Sequence, residues 1–296
     1  MNALLLSLAL ISNLISSSLA RPAYCKKYAA KNSDLYIFNT FSSFVSLLTL
    51  LLIAGIGGKL TFPSTYTVTF AFLFGLVTAL GALFSIKAIE IGSLSYTTVI
   101  VCCSLIIPSL SGVFLYHESI TIWQGIGVIL MLVSIICSVE RSNSKGGSSL
   151  RWLLFCMAAF IAVGAVGVLQ KVYQKSIYAG EMDLFLIIAF AVSTLFSLML
   201  ALCYSHKEHV RPFQVANKKF LALLSFVNGV GLAFENLLCL YLAGAMDAII
   251  FFPIVNGGTM LLAAFAGYIV WKERFSLLQW IGMLCGGGAI LLLCSC

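Results

Sequence analysis

Charge is the scarcest property of this chain. Only 9% of its 296 residues are Asp, Glu, Lys or Arg, against about 25% in a soluble domain. That excludes an ordinary soluble fold, and no stretch is polar enough to form a separate soluble domain. Proline is scarce too, with five residues, so few apolar runs are interrupted. The three histidines, His117, His206 and His209, all lie between apolar runs. No Cys-x-x-Cys pair or Cys/His cluster has metal-ligand spacing, so no metal is expected. No phosphate-binding loop, zinc-binding helix motif or nucleophile–base set is present. The sequence therefore offers no catalytic residues and no cofactor site. The net charge of +7 does not point to nucleic acid. The Lys and Arg residues lie in breaks between apolar runs, where topology signals and anionic head groups account for them.

What the chain has in abundance is hydrophobic sequence, 61% of all residues. A membrane helix takes about 20 apolar residues, which leaves room for about ten here. The runs cover 2–20, 35–56, 66–89, 93–115 and 121–139, then 150–172, 183–204, 218–243, 247–270 and 276–294. Between the two sets lies Glu140 to Ser149, a polar stretch rich in glycine and serine. The organisation expected is a five-helix repeat over 1–139, a linker over 140–149, and a second five-helix repeat over 150–296. The first run ends in Ser18-Leu19-Ala20, which resembles a signal-peptide cleavage site. No Lys or Arg precedes it, so it reads as the first membrane helix. Most of the ten cysteines sit inside apolar runs, where they act as small hydrophobes.

The halves echo each other. At an offset of 155, Gly112 meets Gly267, Glu118 meets Glu273, Gln124 meets Gln279 and Gly127 meets Gly282. Both glutamates fall in a short polar break between two apolar runs. Upstream, Lys26 precedes Asp34 by the same spacing as Lys175 precedes Asp183. An odd number of helices per repeat sends the second copy across the membrane in the opposite sense. Inverted repeats of this kind place the substrate site of secondary transporters near the midplane, where the repeats meet.

Two units of helix, short acidic turn and helix carry a resemblance. They are Leu115-Tyr116-His117-Glu118-Ser119-Ile120-Thr121 and Trp271-Lys272-Glu273-Arg274-Phe275-Ser276. The chain resembles the ten-helix EamA-type members of the drug/metabolite transporter superfamily. The second unit is close to that family's glutamate-arginine turn. The first departs from it, with Ser119 where arginine is common. The resemblance implies transport of small metabolites, often export. It also implies that helices 1–4 and 6–9 line a central cavity, with helices 5 and 10 outside. For orientation, most of the 17 Lys and Arg residues fall in the loops after the odd-numbered helices. By charge, those loops face the cytoplasm and both termini lie outside. The resemblance implies both termini inside.

Glu235 is the leading candidate for function. It lies in the middle of an apolar run, and a carboxylate in hydrocarbon is costly unless it faces a cavity and does a job. It suits a proton carrier or a partner for a cationic substrate. A bland alternative is a Glu that only ties helices together. Neutral polar residues inside runs are Asn13, Asn39, Gln170, Asn228, Asn236 and Asn256. Each can line a substrate cavity, and each can equally be interhelical hydrogen-bonding glue worth about 0.6 kcal/mol. Pro253, Gly257 and Gly258 surround Asn256 and mark a kink that frees backbone carbonyls, with Pro108 as the matching kink in the first half. Lys87, Lys171 and Lys175 read as residues that snorkel to head groups. Gly282 and Gly286 are spaced as GxxxG, a dimer face or packing within the chain.

The reading is an all-α integral membrane protein of ten transmembrane helices in two inverted five-helix repeats. It is multi-pass in the plasma membrane, monomer or homodimer. It moves a small metabolite, an amino acid or similar, by alternating access, in the export direction and with proton coupling through Glu235. The partners expected are a small-molecule substrate and the lipid bilayer, not nucleic acid. The alternatives are uptake of a sugar or related metabolite, a lipid flippase, and a non-transporting scaffold or lipid-modifying enzyme.

Overall fold

The computed structural model describes residues 2–21, 23–24, 32–58, 60–91, 97, 100–101, 103–118, 121–137, 150–209, 217–270 and 276–295. The linker over 140–149, the break at 271–275 with Glu273, and the Lys26 motif lie outside them. The protein is an all-α membrane protein, with ten α-helices and no strand among the described residues. They are α1 (Asn2–Asn13), α2 (Asn32–Ile56), α3 (Thr65–Ile91), α4 (Ile106–Tyr116), α5 (Ile122–Cys137), α6 (Leu150–Gln174), α7 (Met182–Lys207), α8 (Lys218–Ala245), α9 (Ala248–Val270) and α10 (Leu277–Ser295). Five of them (α2, α3, α6, α7 and α8) are long and apolar enough over their described residues to cross a membrane, and the other five are shorter apolar helices.

Two ends differ from simple helices. The chain after α1 widens into π-helical turns over Leu14–Ala20, where the Arg21 N–H bonds the Ser16 carbonyl five residues back. A turn of 3-10 helix, Cys103–Leu105, leads into α4. Pro108 therefore stands in the first turn of α4, where its missing N–H costs no helical bond. Pro253, by contrast, lies inside α9.

The described helices form two compact units, each drawing on both halves of the sequence. The first comprises Met1–Ala79 and Tyr173–Tyr241, the second Leu80–Val172 and Leu242–Cys296.

In the first unit α2 and α7 pack side by side and antiparallel. Tyr36, near the start of α2, stacks on Tyr204, near the end of α7, with ring centroids 4.7 Å apart. Glu208, just past α7, accepts hydrogen bonds from the Ser33 hydroxyl (2.6 Å) and N–H (3.4 Å) at the start of α2. At the opposite end, Glu181 ahead of α7 accepts from the Ser64 N–H (3.0 Å) and hydroxyl (2.9 Å). Ser64 in turn caps α3 through the Thr67 N–H. Asp34 and Asp183 are both buried, each in the first turn of its helix. That position complements the helix dipole. Helix α8 lies against α2, where the Ser46 hydroxyl donates to the Gly229 carbonyl at 2.7 Å.

The second unit holds two more antiparallel pairs. In α5 and α10, Gly127 lies beside Leu293, while Ser134 donates to the Gly282 carbonyl at 2.6 Å. A Cβ on Gly286 would meet Ser134 Oγ and Leu261. The GxxxG glycines of α10 thus serve packing within the chain, of the small-residue kind that lets membrane helices approach. In α4 and α9, Gly112 near the end of one faces Ala248 at the start of the other. Met260, further along α9, packs with Leu105 and Ile106 at the start of α4. Helix α5 opens with a capping box in which Gln124 accepts from the Thr121 N–H and Thr121 accepts from the Gln124 N–H.

Candidate functional site

Glu235 sits in the first unit, midway along α8 and partly exposed. Its Oε1 accepts a hydrogen bond from the Asn13 amide, and its Oε2 accepts a longer one (3.5 Å) from the Ser16 hydroxyl. Two features of the local fold bring these groups together. The π-helical turns after Asn13 carry Ser16 round to the α8 side, where its hydroxyl also reaches the Asn13 carbonyl at 3.2 Å. Gly231, one turn before Glu235, lets that segment close in: a Cβ there would stand 2.9 Å from Ser16 Cβ and 3.1 Å from the Ser12 carbonyl oxygen. Such wide turns are rare and recur at functional sites. Among the described residues Glu235 has only neutral hydrogen-bond partners and forms no ion pair.

The second unit contains a charged cluster that was not singled out as a site from the sequence. His117 takes a left-handed conformation (φ 52°) at the end of α4, and this turns Glu118 back over Gly112. Glu118 Oε1 then pairs with Lys171 Nζ of α6 at 2.8 Å, with side-chain exposures of 7% and 0%. Glu118 Oε2 accepts the Ala248 N–H, the first of α9, at 2.8 Å. Lys171 donates to the Met246 carbonyl, just past α8, at 2.6 Å. An anion thus sits at the start of α9 and a cation at the end of α8, both favourable with the helix dipoles. Lys171 does not snorkel to head groups as expected, because its ammonium is sealed inside this cluster. The signal in the sequence was the pairing of Gly112 and Glu118 with Gly267 and Glu273 at the offset of 155.

The other sequence candidates divide between the units. Asn13 joins Glu235, while Asn39, Asn228 and Asn236 lie in the same unit. Asn236 donates to the Leu232 carbonyl of its own helix at 2.9 Å. Asn228 is 3% exposed. Gln170, Asn256, Pro108, Pro253, Gly257 and Gly258 lie in the second unit. Asn256 donates to the Phe252 carbonyl of its own helix at 2.9 Å. Pro108 packs near Gly167, and Gly257 leaves room for Met131. Trp123 and Trp280, close to helix starts, are exposed as an aromatic belt requires. No group of His, Cys, Asp and Glu among the described residues is arranged to hold a metal.

Comparison with known proteins agrees with the helical architecture. Residues 4–139 match the EamA-like transporter family. An uncharacterized protein of Haemophilus influenzae is 23% identical over 209 residues, which cover 69% of this chain and 67% of that protein. A protein of known crystal structure superposes with a TM-score of 0.74 over 98% of both chains at 12% identity. That likeness concerns the fold.

Proposed function

We propose that this chain, an EamA-type member of the drug/metabolite transporter superfamily, is a secondary transporter that exports a small metabolite across the cell membrane. The cargo is an amino acid or a similar compound, and the step is alternating access. Glu235 carries the coupling proton. The chain acts as a transporter, not an enzyme, and one copy suffices.

The observation that carries this reading is Glu235 itself. It is the one described carboxylate held deep in an apolar helix by neutral donors alone. Glu118 offers the contrast, since Lys171 neutralises it. A carboxylate with no counter-charge in the membrane region is free to bind and release a cation, which a purely structural group has no need to do. The antiparallel pairing of α2 with α7, α4 with α9 and α5 with α10 supports the inverted repeat. In each pair the partners hold the same place in their halves, which is the arrangement an inverted duplication requires.

Proteoliposomes loaded with a panel of amino acids, sugars, nucleosides and amines test the reading under an imposed pH gradient. Wild-type protein should move at least one soluble class, faster with the gradient than without. Glu235→Gln should fold and lose the gradient dependence. Gradient-dependent flux that survives in the mutant would remove Glu235 from the coupling. Translocation of labelled lipid alone would replace the metabolite reading with a flippase.

A further inference from the structure

We infer that the cargo is a cation, carrying an ammonium group that docks on Glu235, and that anions are excluded. The inference rests on the transporter reading and narrows its cargo from amino acids and similar compounds to amines that lack a carboxylate.

The argument starts from an inventory of charge in the first unit. No charged residue occurs from Asn2 to Ala20, and Arg21, at the end of that segment, is exposed. In α2 the single charge is Asp34, in the first turn. The part of α3 in this unit, up to Ala79, has none. In α7 the charges are Asp183 in the first turn and Lys207 in the last, with His206 beside it. In α8 they are Lys218 and Lys219 at the start, then Glu235. Away from its helix ends, the described spans of this unit carry one Asp, Glu, Lys, Arg or His residue, and it is Glu235. An anionic cargo needs a cation to meet it, and the spans of this unit supply none.

The second unit gives no better home to an anion. Lys171 is sealed and neutralised by Glu118. Lys87, near the end of α3, stands over the Phe155 ring at 5.8 Å.

The chemistry around Glu235 also suits an ammonium. Such a group offers N–H donors and no acceptor, whereas carboxylate, amide oxygen and hydroxyl all accept. Glu235, Asn13 and Ser16 are that set. Asn13 gives its N–H to Glu235 and so keeps its own oxygen for a donor. Glu235 is also reachable, being partly exposed, whereas Lys171 is not exposed at all. The other titratable group close by is Cys239, one turn along α8; α1 and its π-helical extension present none. An α-carboxylate on the cargo would find no positive partner in these spans, which ranks simple amines ahead of amino acids.

The test is thermal unfolding of the purified full chain at fixed ionic strength. The probes are tetramethylammonium, putrescine and tyramine on one side, and glutamate, citrate and inorganic phosphate on the other. At least one amine should raise the midpoint of the wild type and leave Glu235→Gln unmoved, while the anions leave both unmoved. Stabilisation by anions alone, by no amine, or by amines equally in the mutant overturns the inference. Should Glu235→Gln not fold, carbodiimide labelling of Glu235 in the wild type, read by mass spectrometry, takes its place. Tetramethylammonium, which has no N–H to couple to an activated carboxyl, should protect it and phosphate should not; equal labelling with and without tetramethylammonium sinks the idea. Flux assays separate the two readings. Amine binding at Glu235 with no flux overturns the transporter and keeps the cation site. Flux of an anion, or amine flux that survives Glu235→Gln, keeps the transporter and overturns the cation site.

Discussion

Glu118 Oε1 and Lys171 Nζ lie 2.8 Å apart, and together they close two helix ends, the ammonium on the Met246 carbonyl and the carboxylate on the Ala248 N–H. Removing one member leaves the other charge buried without a partner, which typically costs about 3–5 kcal/mol, whereas replacing both is often near neutral. Lys171→Met should therefore destabilise strongly. The double change Glu118→Gln with Lys171→Met should recover much of the loss, since Gln still accepts the Ala248 N–H. Denaturant unfolding in detergent reads both. A double variant no more stable than Lys171→Met would show that the pair is not the source of the cost.

Gly112 makes the pair possible. A Cβ there would stand 2.7 Å from Ala248 Cβ and would also overlap the Glu118 carboxylate. Overpacking of this kind costs about 1–3 kcal/mol, so Gly112→Ala should destabilise by that order. Gly125, in α5, has nothing within 4 Å of the position a Cβ would take. There Gly125→Ala should be neutral or stabilise by up to about 1 kcal/mol through helix propensity. The two melting midpoints should move in opposite directions. Equal shifts would mean that space at Gly112 is not what its glycine provides.

The helices and their order were legible because membrane helices announce themselves by length and composition, which sequence records directly. The place of Glu235 midway along α8 was legible in the same way, because a carboxylate inside an apolar run stands out in the sequence. Its link to Asn13 was only half visible. Both were candidates, yet what joins them is a local widening of the helix after Asn13, and no residue preference foretells π-helical turns in Leu-Ile-Ser-Ser-Ser. Lys171 was misread because a place in the last turn of a helix does not say what faces it. A snorkelling lysine and a sealed one look alike until the partner, here Glu118 at the end of another helix, is brought alongside. Asn236 and Asn256 show the opposite limit. Each gives one N–H to a carbonyl one turn back in its own helix, a bond that the sequence pattern does not announce. In the first half, two of the matched residues have local roles in the structure, the clearance at Gly112 and the capping box at Gln124.

Asn13 donates to Glu235 from another helix, so it should set the carboxylate's position without being essential to its charge. Hydrogen bonds to charged groups contribute about 1.5–3 kcal/mol. On that scale Asn13→Leu should weaken amine binding roughly 10- to 100-fold while keeping the fold. Asn13→Gln, which retains the amide, should recover part of the loss. A binding curve for tetramethylammonium on each variant decides it. Unaltered affinity in Asn13→Leu would make the contact incidental to binding.

Protons and an organic cation compete for one carboxylate, and the sign of the pH effect follows from that. A proton on Glu235 removes the charge the ammonium needs, so amine affinity should fall as pH is lowered through the titration of Glu235. For one competing site, the loss approaches tenfold per pH unit on the acid side, equivalent to about 1.4 kcal/mol per unit. Above the titration the affinity should level off. The dependence should vanish in Glu235→Gln and persist in Cys239→Ala, since Cys239 is the other titratable group close to the site. Isothermal titration with tyramine across pH 5 to 8, in buffers of matched ionic strength, measures the slope. A slope of the opposite sign would mean that the bound cargo takes up a proton instead of displacing one, and Glu235 would then hold the cargo as a hydrogen-bond donor and not as a counter-charge.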